Sequence, residues 1–281
     1  MSTPGTTRGA TGGPHSNLML RILAALVLVP IALAAAYAGG WFWLVLVCLG
    51  ACGLFVEWQM LIGAAKYSLL GGGALLLIFS AVAVNSHDLG AAVICVVAAA
   101  LVSAAFATAG TRLWAPLGAI YAGSALVASL LLRQDRDLGF EALAFVFMIV
   151  WGTDILGYFA GRGIGGPKLW VRVSPNKTWA GAIAGLLGSL ALAVAFASIM
   201  RHHMLPLALL ALVLSAISQL GDLFESAVKR AFGVKDSSHL IPGHGGLLDR
   251  LDGFVAAIVA AALIGAVRSG TDAAGAGLLN W

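Results

Sequence analysis

The chain divides into apolar stretches about as long as a bilayer is thick, separated by short polar gaps. A helix crosses the hydrocarbon core in roughly 20 predominantly apolar residues, and backbone polar groups inside lipid must be satisfied within the spanning structure. Over 281 residues this pattern predicts an all-α, polytopic membrane helical bundle of about nine transmembrane helices, near 20–38, 41–62, 68–84, 89–109, 113–132, 141–160, 178–200, 204–224 and 253–268. No internal repeat or soluble domain is evident. Residues 1–17, rich in Gly, Thr, Ser and Pro, read as a disordered cytoplasmic tail. Residues 18–140 form an N-terminal set of helices, and 141–281 a C-terminal catalytic region.

Loop charge sets the orientation. With a cytoplasmic N-terminus, twelve of the sixteen basic residues fall on the cytoplasmic side, and only Arg133, Arg136, Arg201 and Arg268 on the other. That excess satisfies the positive-inside rule. Arg21 ahead of an apolar run and Ala36-Tyr37-Ala38 imitate a cleavable signal peptide, but loss of the first helix would reverse this balance. The expected location is the cell inner membrane, with the long cytoplasmic segments 161–177 and 225–252 carrying the chemistry. A formal net charge of +4 does not indicate nucleic-acid binding. Cys48, Cys52 and Cys95 lie in apolar segments and read as packing residues. Most tryptophans flank spans as an interfacial belt, Gly71-Gly72-Gly73 reads as close helix packing, and Arg133-Gln-Asp-Arg-Asp137 as a solvated loop. Glu57, near the end of the second span, is expected at the interface or bonded to a neighbouring helix.

The stretch 221–252 is the polar exception: its 32 positions hold five acids, four bases and two histidines. Asp222, Glu225, Ser226, Lys229 and Arg230 share one helical face. Asp249 and Asp252, three residues apart, share a face where the last apolar helix begins. Between them Gly233, Pro242, Gly243, Gly245 and Gly246 punctuate a loop whose backbone N–H groups can approach an anion. Carboxylates for a divalent cation, bases for phosphates and a glycine-rich turn are the parts that phosphoryl or nucleotidyl transfer requires.

Two further elements precede it. Asp154 lies inside the sixth span, and Tyr158 and Arg162 follow on the same face; an intramembrane acid points to a functional site, with pairing to Arg162 as the structural alternative. Gly157 and Gly161 would let another helix pack close. Ser174-Pro-Asn-Lys-Thr-Trp-Ala-Gly181 enters the seventh span, so Lys177 and Thr178 at a helix N-terminus can bind an anion or serve as an ordinary positive anchor.

Ser226-x-Val228-Lys229-Arg230-x4-Lys235-Asp236-x-Ser238-x2-Ile241-Pro242-x-His244-Gly245-Gly246-Leu247-x-Asp249-Arg250-Leu251-Asp252 resembles the full signature of the phosphatidate cytidylyltransferase (CDP-diacylglycerol synthase) family. The 174–181 segment is similar to the same family's Ser-Pro-x-Lys-Thr-x-Glu-Gly element, with Ala180 standing where many members have Glu. The resemblance implies the reaction of CTP with phosphatidate to give CDP-diacylglycerol and pyrophosphate, and a Mg²⁺ requirement. Asp222 and Asp249 are then the first candidates for metal ligands, followed by Asp252 and Asp236. Lys229, Arg230, Lys235 and Arg250 would hold the triphosphate and the lipid phosphate. Ser174, Lys177, Thr178, Ser226, Gly245, Gly246 and Asp154 are candidates for substrate contact. His244 invites a role as general base, but an ionised phosphate needs little deprotonation, and a structural or phosphate-bonding role fits equally. Expected partners are CTP, phosphatidate and membrane lipids, and the small-residue-rich spans permit a homodimer.

Two other readings remain open. A CDP-alcohol phosphotransferase or polyprenyl-phosphate transferase also uses membrane carboxylates and Mg²⁺, but the former's Asp-Gly-x2-Ala-Arg spacing is absent. A transporter would run ions past Asp154, Asp222 and Glu225 at the bilayer midplane.

Overall fold

The computed structural model describes residues 14–238 and 245–281, and they are mostly helical. Nine long helices follow in order: α1 (Pro14–Ala38), α2 (Gly40–Leu61), α3 (Tyr67–Asn85), α4 (Leu89–Phe106), α5 (Trp114–Gln134), α6 (Gly139–Gly163), α7 (Trp179–Met200), α8 (Met204–Ala231) and α9 (Leu248–Ser269). A 3₁₀ turn and a short α10 (Ala274–Leu279) close the chain. Seven helices, all but α1, α3 and α10, are long and apolar enough to cross a membrane, and shorter apolar stretches lie at Leu26–Ala38 and Leu69–Asn85. The protein is therefore a multi-pass helical membrane protein.

Helix α5 runs through the packed interior against α2, α4 and α9, while α6, α7, α8 and α9 pack as a second group. Glycines set the close approaches. A Cβ on Gly181 of α7 would stand 2.7 Å from the Gly157 carbonyl of α6, and one on Gly161 would stand 3.1 Å from Thr178 Oγ1. The small-residue face expected on α6 thus receives α7. A Cβ on Gly73 would collide with the Phe55 ring, so that glycine does mark close packing of α3 on α2.

Several expectations are corrected. Within the cytoplasmic segment expected at 161–177 and the first residue of the expected seventh span, Lys168–Thr178 form an antiparallel hairpin of β1 (Lys168–Trp170) and β2 (Ser174–Thr178), an exception to the all-α expectation. Three- and five-residue strands leave too little alternation to be seen in sequence. Helix α1 begins at Pro14, inside the stretch read as a tail; residues 1–13 lie outside the described residues. Helix α8 continues to Ala231, and α9 starts at Leu248 rather than near 253, so the acids at 222, 249 and 252 all sit on helices. The apolar windows stop short of these turns because the helix there is polar on one side.

The run Arg133–Asp137 is solvated only in part: Arg136 and Asp137 are exposed on a turn, while its other residues are tied to the fold. Asp135 is 4% exposed, and its carboxylate accepts from the backbone N–H of Asp137 and Leu138, each at 3.0 Å, and of Ala276 at 2.6 Å. Arg133 donates to the carbonyls of Ala36 and Tyr37 at the end of α1. Trp43 and Trp58, near the two ends of α2, turn into the protein; their indole N–H groups reach the carbonyls of Ser129 at 3.1 Å and Trp114 at 2.8 Å. A satisfied indole N–H lets the ring enter the interior.

Candidate active site

A cavity of about 800 Å³ opens between α6, α7, α8 and the β1–β2 hairpin. Its walls carry Asp154, Tyr158 and Arg162 from α6, Lys168, Asn176, Lys177 and Thr178 from the hairpin, and Gln219 and Asp222 from α8. The size suits a nucleotide-scale ligand. Lys177 Nζ forms an ion pair with Asp222 Oδ2 across it. The other Asp222 oxygen accepts from the Ser226 hydroxyl one turn on, at 3.4 Å. Arg162 donates to the Tyr158 hydroxyl at 3.1 Å, so it is this phenol, and not Asp154, that the arginine engages. Thr178 Oγ1 caps α7 by accepting from Gly181 N at 3.1 Å, which leaves Lys177 as the cation at that helix start.

Asp252 joins this group because α8 and α9 come together at glycines beside the two acids. A Cβ on Gly221 would lie 2.8 Å from the Asp252 carbonyl, and one on Gly253 would lie 2.5 Å from Ser218 Oγ. Asp222 follows the first glycine and Asp252 precedes the second. Asp252 thereby feels the charges of Asp222, Asp154 and Lys177.

The remaining acids of the polar stretch are held differently. Asp249 Oδ1 accepts from Lys229 Nζ at 2.6 Å, and its Oδ2 accepts from Gly246 N at 3.0 Å, Ser237 Oγ at 3.0 Å and Ser237 N at 3.2 Å. Lys229 also pairs with the buried Glu225 at 2.7 Å. Neither Asp249 nor Glu225 lines the cavity.

A model of the cytidylyltransferase family matches residues 19–267. The chain belongs to that family. It is 40% identical over 264 residues to a phosphatidate cytidylyltransferase of Brucella abortus biovar 1, covering 92% of this chain and 96% of that protein. The enzyme of the same name in Bacillus subtilis is 40% identical over 141 residues, 50% of this chain and 52% of its own. In Haemophilus influenzae the figures are 45% over 131 residues, 44% and 46%. A cytidylyltransferase needs positioning and charge neutralisation around a triphosphate, and the cavity walls carry both signs of charge.

Of the residues named from sequence, Asp154, Lys177, Thr178 and Asp222 line the cavity. Asp252 and Ser226 adjoin Asp222. Arg230 instead donates to the Val234 carbonyl at 3.1 Å, and Lys235 and Asp236 are exposed on the turn beyond α8. Arg250 is exposed on the first turn of α9, and Ser174 opens β2 beside Trp170. Gly245 has φ +81°, and Gly246 packs on Ser237 and Glu57, so both glycines serve the backbone path. His239 and His244 lie outside the described residues. Sequence reasoning missed Lys168, Asn176 and Gln219 on the walls, since nothing in a hairpin or an apolar helix marks a single polar residue as facing a cavity.

The family's expected Mg²⁺ is consistent with this donor set. Among the described residues no three His, Cys, Asp or Glu side chains converge as a ready metal cluster. Mg²⁺ takes hard oxygen ligands and commonly needs only one or two carboxylates beside water and substrate phosphates. Asp222 and Asp252 would be the carboxylates of that kind beside the cavity.

Proposed function

We propose that this cavity is where CTP and phosphatidate meet, with the hairpin and α6 holding the nucleotide and α8 and α9 presenting the carboxylates. The enzyme is a nucleotidyltransferase, and its reaction gives CDP-diacylglycerol and pyrophosphate. A phosphatidate oxygen attacks the α-phosphorus of CTP, the new P–O bond forms, and the bond to the β-phosphate oxygen breaks as pyrophosphate leaves. The nucleophile is already ionised near neutral pH, so no side chain has to take its proton. Lys177, Lys168 and Arg162 bind and orient phosphate oxygens, the arginine through its planar fork. Asp222 and Asp252 would hold Mg²⁺, which when bound neutralises charge on the triphosphate.

One observation carries the reading: the Lys177–Asp222 pair joins the Ser-Pro-x-Lys-Thr element to the acidic face of α8 within one cavity. These segments are 45 residues apart, 222 − 177. Outward apolar side chains Ile155, Phe159, Ile183 and Leu187 on α6 and α7 suit an amphiphilic substrate arriving from lipid. The finer topology belongs to the same reading: nine spans in the inner membrane, the N-terminus and cavity mouth cytoplasmic, supported by the twelve-to-four division of basic residues.

The test is turnover by the purified full chain in mixed micelles with phosphatidate and each nucleoside triphosphate in turn, with and without Mg²⁺, following pyrophosphate and lipid product together. CTP- and Mg²⁺-dependent CDP-diacylglycerol is expected. Release of pyrophosphate without the lipid product, or turnover indifferent to the base or to Mg²⁺, would overturn the assignment.

A further inference from the structure

Glu57 is a fully buried carboxylate on α2, and the groups it bonds lie 180 to 191 residues further along the chain. Oε1 accepts from Ser238 Oγ at 2.6 Å and from Leu247 N at 2.8 Å. Oε2 accepts from Leu248 N at 2.7 Å, with Ser237 Oγ at 3.4 Å. The Ser237 hydroxyl has one hydrogen and stands closer to Asp249, at 3.0 Å.

Leu247 and Leu248 are the N-cap and first residue of α9, where backbone N–H groups have no intrahelical acceptor. A Ser or Asp side chain at the N-cap would reach only amides further into the first turn, and α9 has Leu247 there with no side-chain cap of its own. Glu57 supplies the acceptor from another helix, and its charge sits where a helix N-terminus favours an anion. A Cβ on Gly246 would stand 2.8 Å from Glu57 Oε2 and collide with Ser237 Oγ, so the glycine leaves room for this approach.

We infer that Glu57 is a positioning residue for cytidylyl transfer, fixing the start of α9 and through it the placement of Asp249, Arg250 and Asp252. This rests on the assignment of Asp252 to the transfer site. A shift of about 1 Å in a reacting constellation can cost on the order of 100-fold in rate. The start of α9 sets where Asp252 stands relative to Asp222, so release of that end disturbs the geometry in which CTP is held.

The experiment compares wild type, Glu57→Gln and Glu57→Asp as full chains, measuring kcat, KM for CTP, KM for phosphatidate and amide hydrogen exchange at Leu247 and Leu248. Glu57→Gln turns one acceptor into a donor facing N–H groups. It is expected to lower kcat/KM for CTP by about 10- to 100-fold and to speed exchange at both amides. Glu57→Asp, retaining the charge, should recover part of the loss. An unchanged KM for CTP, with kcat falling only as the folded fraction falls, would overturn the inference. If Glu57→Gln does not fold, Ser238→Ala removes a single donor and should shift the same readings less; unaltered kinetics and exchange there would overturn it equally. Asp252→Asn separately tests the α9 assignment: full activity in that variant would sink the assignment, while the Glu57 exchange data would still report the geometry.

Discussion

Helices α8 and α9 carry two acidic groups a turn apart, and the two are built in opposite ways. Around Asp249 the charges are closed on themselves: four donor atoms converge on its two oxygens, and Lys229 is shared with Glu225. Around Asp222 the network is sparse, with one ion pair to Lys177 and a 3.4 Å hydroxyl contact on the rim of a cavity. The residue types and the helical spacing are alike in both. What differs is how many N–H groups the neighbouring backbone delivers. A carboxylate saturated by four donors organises the fold, whereas one held by an ammonium and a long hydroxyl contact can exchange a partner for a ligand.

The comparison makes ranked predictions. Asp222→Asn should have the largest effect on chemistry, lowering kcat by about 100- to 1000-fold, a loss typical of removing one electrostatic stabiliser of a transition state. Its melting temperature should stay near that of wild type; a large drop would place Asp222 with the structural group. Asp249→Asn should instead strike stability first. Breaking a buried pair by removing one partner costs about 3–5 kcal/mol, and Lys229 and Asp249 are only 12% and 14% exposed. A thermal unfolding scan in detergent should therefore show a clear loss for Asp249→Asn, and an unchanged transition would erase the distinction. Lys177→Met should raise KM for CTP by about 10-fold, as expected for loss of a charged hydrogen bond worth about 1.5–3 kcal/mol, with little thermal change. Lys235→Ala should do least, within about 3-fold in kcat/KM, because exposed charges contribute about 0–1 kcal/mol; a larger loss would move that turn into the site.

How much of this was legible in the chain varies by element. The helical segments were readable because a lipid-crossing helix has to be apolar over most of its length, and the chemistry of 221–252 was readable because charge is rare elsewhere. Three features escaped. The hairpin at 168–178 is too short for a periodic signal. Asp135 looked like one charge in a polar run, yet it accepts the Ala276 N–H from 141 residues away. Glu57 was recognisable as an acid needing a partner, but that partner is the start of α9, which no local pattern announces.

The division has one physical reason. Hydropathy, charge sign and motif spacing are properties of neighbouring residues, so the sequence by itself determined a helical membrane enzyme whose sparse charges gather near its C-terminal end. Which carboxylate faces the cavity and which is consumed by backbone N–H groups depends on contacts between segments far apart in the chain. Glycines 221 and 253 bring Asp222 and Asp252 together, while Glu57 and Gly246 tie α2 to α9. Only the tertiary packing could decide those roles, because a hydrogen bond is made by distance in space and not by distance along the chain.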